Sequence, residues 1–69
     1  SPGIRKKHLF YYNNDGSLKS ERVIKEDMLI KEIFYDFGKK ELEKVYRDNT
    51  LILMVFYKNG EEIREERIK

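Results

Sequence analysis

The eleven residues VFYKNGEEIRE, at positions 55–65, decide how this chain is read. An aromatic pair, Phe56-Tyr57, leads into Asn59-Gly60, and a charged segment with one apolar position, Ile63, follows. Asn-Gly is the dipeptide best suited to a two-residue hairpin turn, because both central residues of a type I′ turn need positive φ. The same unit stands earlier as IFYDFGKKELE at 33–43, with Phe34-Tyr35 ahead of Gly38. A third copy turns at Gly16, after Asn14-Asp15, and its aromatic pair Tyr11-Tyr12 is displaced by one residue.

Gly16, Gly38 and Gly60 are spaced 22 residues apart, with Glu26-Asp27 and Asp48-Asn49 halfway between them. Structural turns are therefore expected at Gly16, Asp27, Gly38, Asn49 and Gly60, one every 11 residues. Asp27 and Asn49 tolerate the left-handed backbone region well enough to replace glycine. Other positions keep the same phase: Glu21, Glu43 and Glu65 follow each glycine by five residues, and Ile24, Tyr46 and Ile68 by eight. Leu29 and Leu51 each open the segment that leads to the next aromatic pair. Five reversals delimit about six short strands, so the expected fold is all-β: a single-domain antiparallel β-meander built from 22-residue hairpin repeats.

The alternation along the strands is imperfect. A plain two-residue turn at Asn59-Gly60 sets Phe56 opposite Ile63 but puts Met54 opposite Glu65 and Ile52 opposite Arg67, and a bulge is the device that corrects such a register. Leu42, Val45 and Tyr46 in KKELEKVY, and Ile63, Arg67 and Ile68 in EEIREERIK, also fit a helical face. Val23, Ile24, Met28 and Leu29 form a third ambiguous stretch. The competing fold is α+β, with hairpin strands at 9–12 and 51–57 and one or two helices. The common phase of glycines and aromatic pairs favours the meander, since a helix gives no reason for them to recur together.

Size and composition narrow the rest. With 69 residues, 41% of them charged and 39% hydrophobic, the core must be thin. A net charge of +2 with interleaved signs does not describe a surface built throughout for nucleic acid. Arg5, Lys6 and Lys7, beside His8, form the one basic concentration and are the candidate anion-binding residues. Residues 1–8 are expected to be a flexible basic segment and 9–69 the β-repeat domain. No cysteine is present, which removes disulfides and thiolate chemistry together. The longest apolar run, 51–57, is far below the roughly 20 residues of a membrane-spanning helix. With no signal-peptide pattern at the start, a soluble domain is expected, cytoplasmic by preference.

An enzyme needs convergent groups, and the inventory does not supply them. His8 is the only histidine, in the basic segment where solvation is the expectation, and Ser17 and Ser20 have no histidine at a recognisable spacing. Asp15, Glu21, Glu26 and Asp27 do not follow the spacing of a calcium loop. No catalytic residue, metal site or cofactor is expected, and the chain reads as a non-enzyme. The paired acids Glu26-Asp27, Glu61-Glu62 and Glu65-Glu66, interleaved with Lys and Arg, read as cross-strand ion pairs.

The aromatic residues Tyr11, Tyr12, Phe34, Tyr35, Phe56 and Tyr57 are the candidate binding residues, either as a packing ladder or as an exposed stacking face. The units FYYNNDGSLKSE, IFYDFGKKELE and VFYKNGEEIRE resemble the MORN-like repeat variant of bacterial proteins labelled antitoxin components, over roughly residues 11–69. Asp27 and Asn49 stand where that family's second turn commonly has Gly, and the Gly-x-Gly of true MORN repeats does not occur. The resemblance implies β-hairpins in an elongated, twisted sheet that serves as an interaction scaffold. The expected function is protein–protein interaction, with a partner protein or with itself as a homodimer, as a scaffold or as an antitoxin-like inhibitor. The alternative is nucleic-acid binding, with Tyr11, Tyr12, Tyr35 and Tyr57 stacking on bases and Lys6, Lys7 and Lys58 on phosphates.

Overall fold

The computed structural model describes residues 5–68. They form six strands: β1 (Lys6–Tyr12), β2 (Leu18–Lys25), β3 (Met28–Asp36), β4 (Lys39–Arg47), β5 (Thr50–Lys58) and β6 (Glu61–Arg67). Each pairs antiparallel with its sequence neighbour, so the sheet order is the chain order and the meander holds. The α+β alternative does not: Leu42 and Val45 lie on β4 and Ile63 on β6. The boundary expected after residue 8 falls inside β1, because Lys6, Lys7 and His8 are strand residues, and the Arg5 carbonyl accepts a hydrogen bond from Glu26 N at 2.7 Å. Of the expected segment, residues 1–4 lie outside the described residues.

The turns are built as their residues dictate. Four reversals place two consecutive residues in the left-handed region: Glu26 (φ 50) with Asp27 (φ 66), Phe37 (49) with Gly38 (77), Asp48 (51) with Asn49 (63), and Asn59 (55) with Gly60 (83). This is the type I′ requirement, and its backbone twist matches that of the flanking strands. The first reversal is longer. Asp15 Oδ1 accepts hydrogen bonds from Ser17 N at 2.9 Å and Ser17 Oγ at 2.6 Å, and Gly16 N donates to Asn13 O at 3.0 Å.

Every hairpin also contains a register shift. It falls at Tyr11/Tyr12, Val23/Ile24, Phe34/Tyr35, Val45/Tyr46 and Phe56/Tyr57, and leaves Lys19, Ile30, Glu41, Ile52 and Ile63 without a direct cross-strand partner in that hairpin. Those five residues are spaced 11 apart, so the bulge is as periodic as the turn. The bulge shifts every pairing beyond it by one residue, so Phe56 faces Arg64 rather than Ile63, Val55 faces Glu65 and Met54 faces Glu66, and the aliphatic stems of the charged residues lie against the apolar groups. The displaced pair Tyr11-Tyr12 has its explanation here too. It sits at the bulge just as Phe34-Tyr35 and Phe56-Tyr57 do, and the longer first loop absorbs the extra residue.

The sheet is a single layer measuring 37 × 31 × 20 Å, and no side chain among the described residues is fully buried. The most enclosed apolar residues are Val23, Ile33 and Val55, in strands β2, β3 and β5. Long charged side chains cover the apolar surface that a second layer would otherwise shield. Arg22 lies over the Tyr11 ring at 5.5 Å, Lys44 over Phe34 at 5.4 Å, Arg64 over Phe56 at 4.3 Å and Lys40 over Tyr57 at 5.3 Å. The high charged content is thus what this architecture requires.

Phe37 combines a positive φ with 93% exposure, so it carries left-handed strain and gains no burial in return. Phe37→Asn creates the preferred Asn-Gly turn and should stabilise the sheet by about 1 kcal/mol. A urea midpoint that fails to rise contradicts this account of the turn.

Candidate functional site

The pairing aligns residues of all six strands into rows, and neighbouring rows point to opposite faces. One row reads Phe10, Glu21, Ile33, Glu43, Val55, Glu65, alternating apolar and acidic across the whole sheet. The adjacent row, on the other face, reads Tyr11, Ser20, Phe34, Leu42, Phe56, Arg64. The six candidate aromatics are therefore divided: Tyr11, Phe34 and Phe56 share the second row, while Tyr12, Tyr35 and Tyr57 lie on the first face. They do not make one stacking platform. The cations named above already cover Tyr11, Phe34 and Phe56.

The first face carries a repeated hydrogen bond. Tyr35 Oη donates to Glu21 Oε1 at 3.4 Å, and Tyr57 Oη donates to Glu43 Oε1 at 3.1 Å. Half a repeat away, on the opposite face, Tyr46 meets Glu32; burial first, then that carboxylate's charge and hydrogen bond, raise the Tyr46 pKa. Each acid has a basic neighbour as well. His8 Nδ1 lies 2.6 Å from Glu21 Oε2, Arg22 Nε 3.1 Å from Glu32 Oε2, and Lys31 Nζ 3.1 Å from Glu43 Oε2. Lys40 Nζ adds a second contact to Glu43 at 3.5 Å. His8, expected to be solvated, is thus a partner of Glu21, because β1 extends far enough to hold it there.

Sequence reasoning misses these Tyr–Glu pairs, although their signal is present. Glu21 and Tyr35, Glu32 and Tyr46, and Glu43 and Tyr57 each stand 14 residues apart. At the two ends of the series, Leu9 with Ile24, where the longer first loop adds a residue to the spacing, and Met54 with Ile68 replace both partners by apolar residues together. That is the pattern expected where leaving one polar partner unmatched would cost more than removing both.

The outer strands are the least covered part of the protein. β1 and β6 are exposed along their whole length, and five of the six exposed large hydrophobics lie on them: Leu9, Phe10, Tyr11, Tyr12 and Ile63. The sixth is Phe37. β1 carries Lys6 and Lys7 and no acid, whereas β6 carries four glutamates against two arginines. Arg5, Lys6 and Lys7 are exposed beside this edge, but as consecutive extended residues Lys6 and Lys7 leave the sheet on opposite faces and do not converge on one anion.

Two shallow hollows lie at opposite ends of the strands, each of about 300 Å³. One lies between Phe37, Lys39, Lys40, Tyr57 and Lys58, the other between Met28, Leu29, Ile30, Tyr46 and Arg47. Among the described residues no group of three or more His, Asp or Glu is placed to hold a metal ion, and no helix is long and apolar enough to cross a membrane. No family model, no curated protein and no solved structure matches this chain.

Glu43 is the most enclosed acid. Burial pushes its pKa up, but Lys31, Tyr57 and Lys40 outweigh that, and the net direction is down from 4.5. Its ionised form therefore stabilises the fold above the unfolded-state value, and this contribution is lost as pH falls through the lower folded one. Glu43→Gln should cost about 1 kcal/mol near neutral pH, the exposed lysine ends reducing the figure, and the gap should close in acid. An unchanged gap below about pH 4, the ordinary range of a glutamate, would refute the assignment.

Tyr57 shows the opposite sign. Burial first, then the hydrogen bond and charge of Glu43, push its hydroxyl up to about 12, so its contribution is intact below about 10 and is lost as pH rises towards 12. In an alkaline titration followed by tyrosinate absorbance, Tyr57→Phe should remove the last tyrosine step.

Proposed function

We propose that this chain is a non-catalytic protein-interaction module that binds another polypeptide along its outer strands. The observation that carries the reading is the concentration of exposed apolar side chains on β1 and β6, next to backbone edges with no neighbour among the described residues. An unpaired strand edge is a template for strand addition, in which main-chain hydrogen bonds supply affinity and alternate side chains supply selectivity. The resemblance to MORN-like units supports the same reading, as a scaffold or as an antitoxin-like inhibitor that occupies its partner.

Nucleic-acid binding is the second reading, motivated by cations and aromatic rings side by side on one face. Its weakness is that Arg22, Lys44 and Arg64 already lie on Tyr11, Phe34 and Phe56, and Lys31 and Lys40 on Glu43. Basic and aromatic groups that satisfy one another leave fewer free for phosphates and bases.

The interaction reading is tested by cross-linking the tagged chain in extracts of its source cells. The wild-type chain should capture a defined polypeptide; a Phe10→Ser/Tyr12→Ser variant should lose it, and Phe37→Ser should retain it. Recovery of the same polypeptide by the β1 variant would place the binding surface elsewhere.

A further inference from the structure

We infer that the second copy of this same chain is an occupant of the outer edge, with β6 of one molecule pairing with β1 of the next, head to tail. This deepens the interaction reading above and rests on it. Four observations converge. First, the strand number is even, so β1 and β6 run in opposite directions, and a copy laid beside β6 continues the antiparallel alternation with the same faces aligned. Second, the two edges have opposite charge, Lys6 and Lys7 on β1 against the excess of glutamate on β6.

Third, the apolar–acid row is open at both ends in complementary ways. It begins with Phe10 on β1 and ends with Glu65 on β6, so Phe10 of a second copy opposite Glu65 extends the alternation without a break. Fourth, this same register completes the tyrosine–glutamate series. Glu65 stands two residues past the bulge residue Ile63, as Glu21 and Glu43 stand past Lys19 and Glu41. Tyr12 stands at its bulge as Tyr35 and Tyr57 do, yet it is 62% exposed and meets no carboxylate among the described residues. Tyr35 reaches Glu21 from two residues beyond Ile33, the direct partner of that acid. Tyr12 of the second copy, two residues beyond Phe10, is placed to reach Glu65 in the same way. In the same register Arg64 faces the incoming Tyr11, and Glu66 lies diagonal to the incoming Lys7. Such a contact is heterologous, so each copy keeps one edge for a further partner and the assembly grows beyond a dimer as rows or rings.

The chain has no cysteine, which makes a register-specific test direct. Directly opposite residues of an antiparallel pair are close enough for a disulfide. Phe10→Cys and Glu65→Cys proteins are mixed in a glutathione buffer, with Leu9→Cys replacing Phe10→Cys as the off-register control. The expected result is a mixed disulfide joining one variant to the other well above its random share, and no such excess with the control. Predominance of the Phe10→Cys homodimer would show symmetric β1 pairing and overturn the proposal. Sedimentation of the unmodified chain provides the second measurement. Its mass should rise with concentration, and Tyr12→Phe should weaken association roughly 2- to 12-fold, the range of one net hydrogen bond. A chain that stays monomeric at every concentration overturns self-pairing but leaves the interaction module standing if a foreign polypeptide is still captured.

Discussion

Two residues held at positive φ, followed by a one-residue slip in strand pairing, form the constraint on which this structure depends. The turn reverses the chain with the twist that neighbouring strands need. The slip then restores which side chains face each other, so that Phe56 meets Arg64 rather than Ile63 and the acids fall into one row with Ile33 and Val55. Without it, every pairing beyond the turn would be displaced by one residue, and the rows across the sheet would not align as they do. Repeated every eleven residues, the combination lets a thin sheet pair apolar with apolar stems and acid with tyrosine or cation.

A single layer cannot hide its side chains, and this one substitutes lateral coverage for depth. Lysine and arginine stems lie across rings, tyrosine hydroxyls cap half-buried carboxylates, and no buried side-chain polar atom is left without a partner among the described residues. Individually, exposed ion pairs are worth a few tenths of a kcal/mol to about 1 kcal/mol. Their value here lies in keeping water off the aromatic rows while obeying the same repeat as the backbone.

Much of the fold was legible because the turn chemistry is local. Asn59-Gly60 and the three in-phase glycines announce reversals whatever the strands do, and Asp27 and Asn49 take up the left-handed conformations expected of them. The helical alternative over Leu42–Tyr46 and the 63–68 segment arises from composition. It fails because the bulges at Glu41 and Ile63 explain the broken alternation that mimics a helix period. The candidate aromatics were legible as residues but not as a surface, since face assignment depends on pairing register and a one-residue slip decides it. The tyrosine–glutamate bonds were hidden for a different reason: a spacing of 14 has no meaning in an isolated strand and acquires one only when hairpin length and bulge are both known. His8 pairs with Glu21 because β1 begins at Lys6, and no cue in the basic segment marks that start.

Packing between strands runs almost entirely from each strand to the next in sequence. A protein assembled this way behaves like a row of dominoes rather than a knot: contacts close over short stretches of chain, which favours rapid formation. Its stability is approximately a sum of unit and neighbour terms. Loss of order should consequently advance inward from the rims, strand by strand, with the middle hairpin around Ile33 and Glu43 the last to let its amide hydrogens exchange.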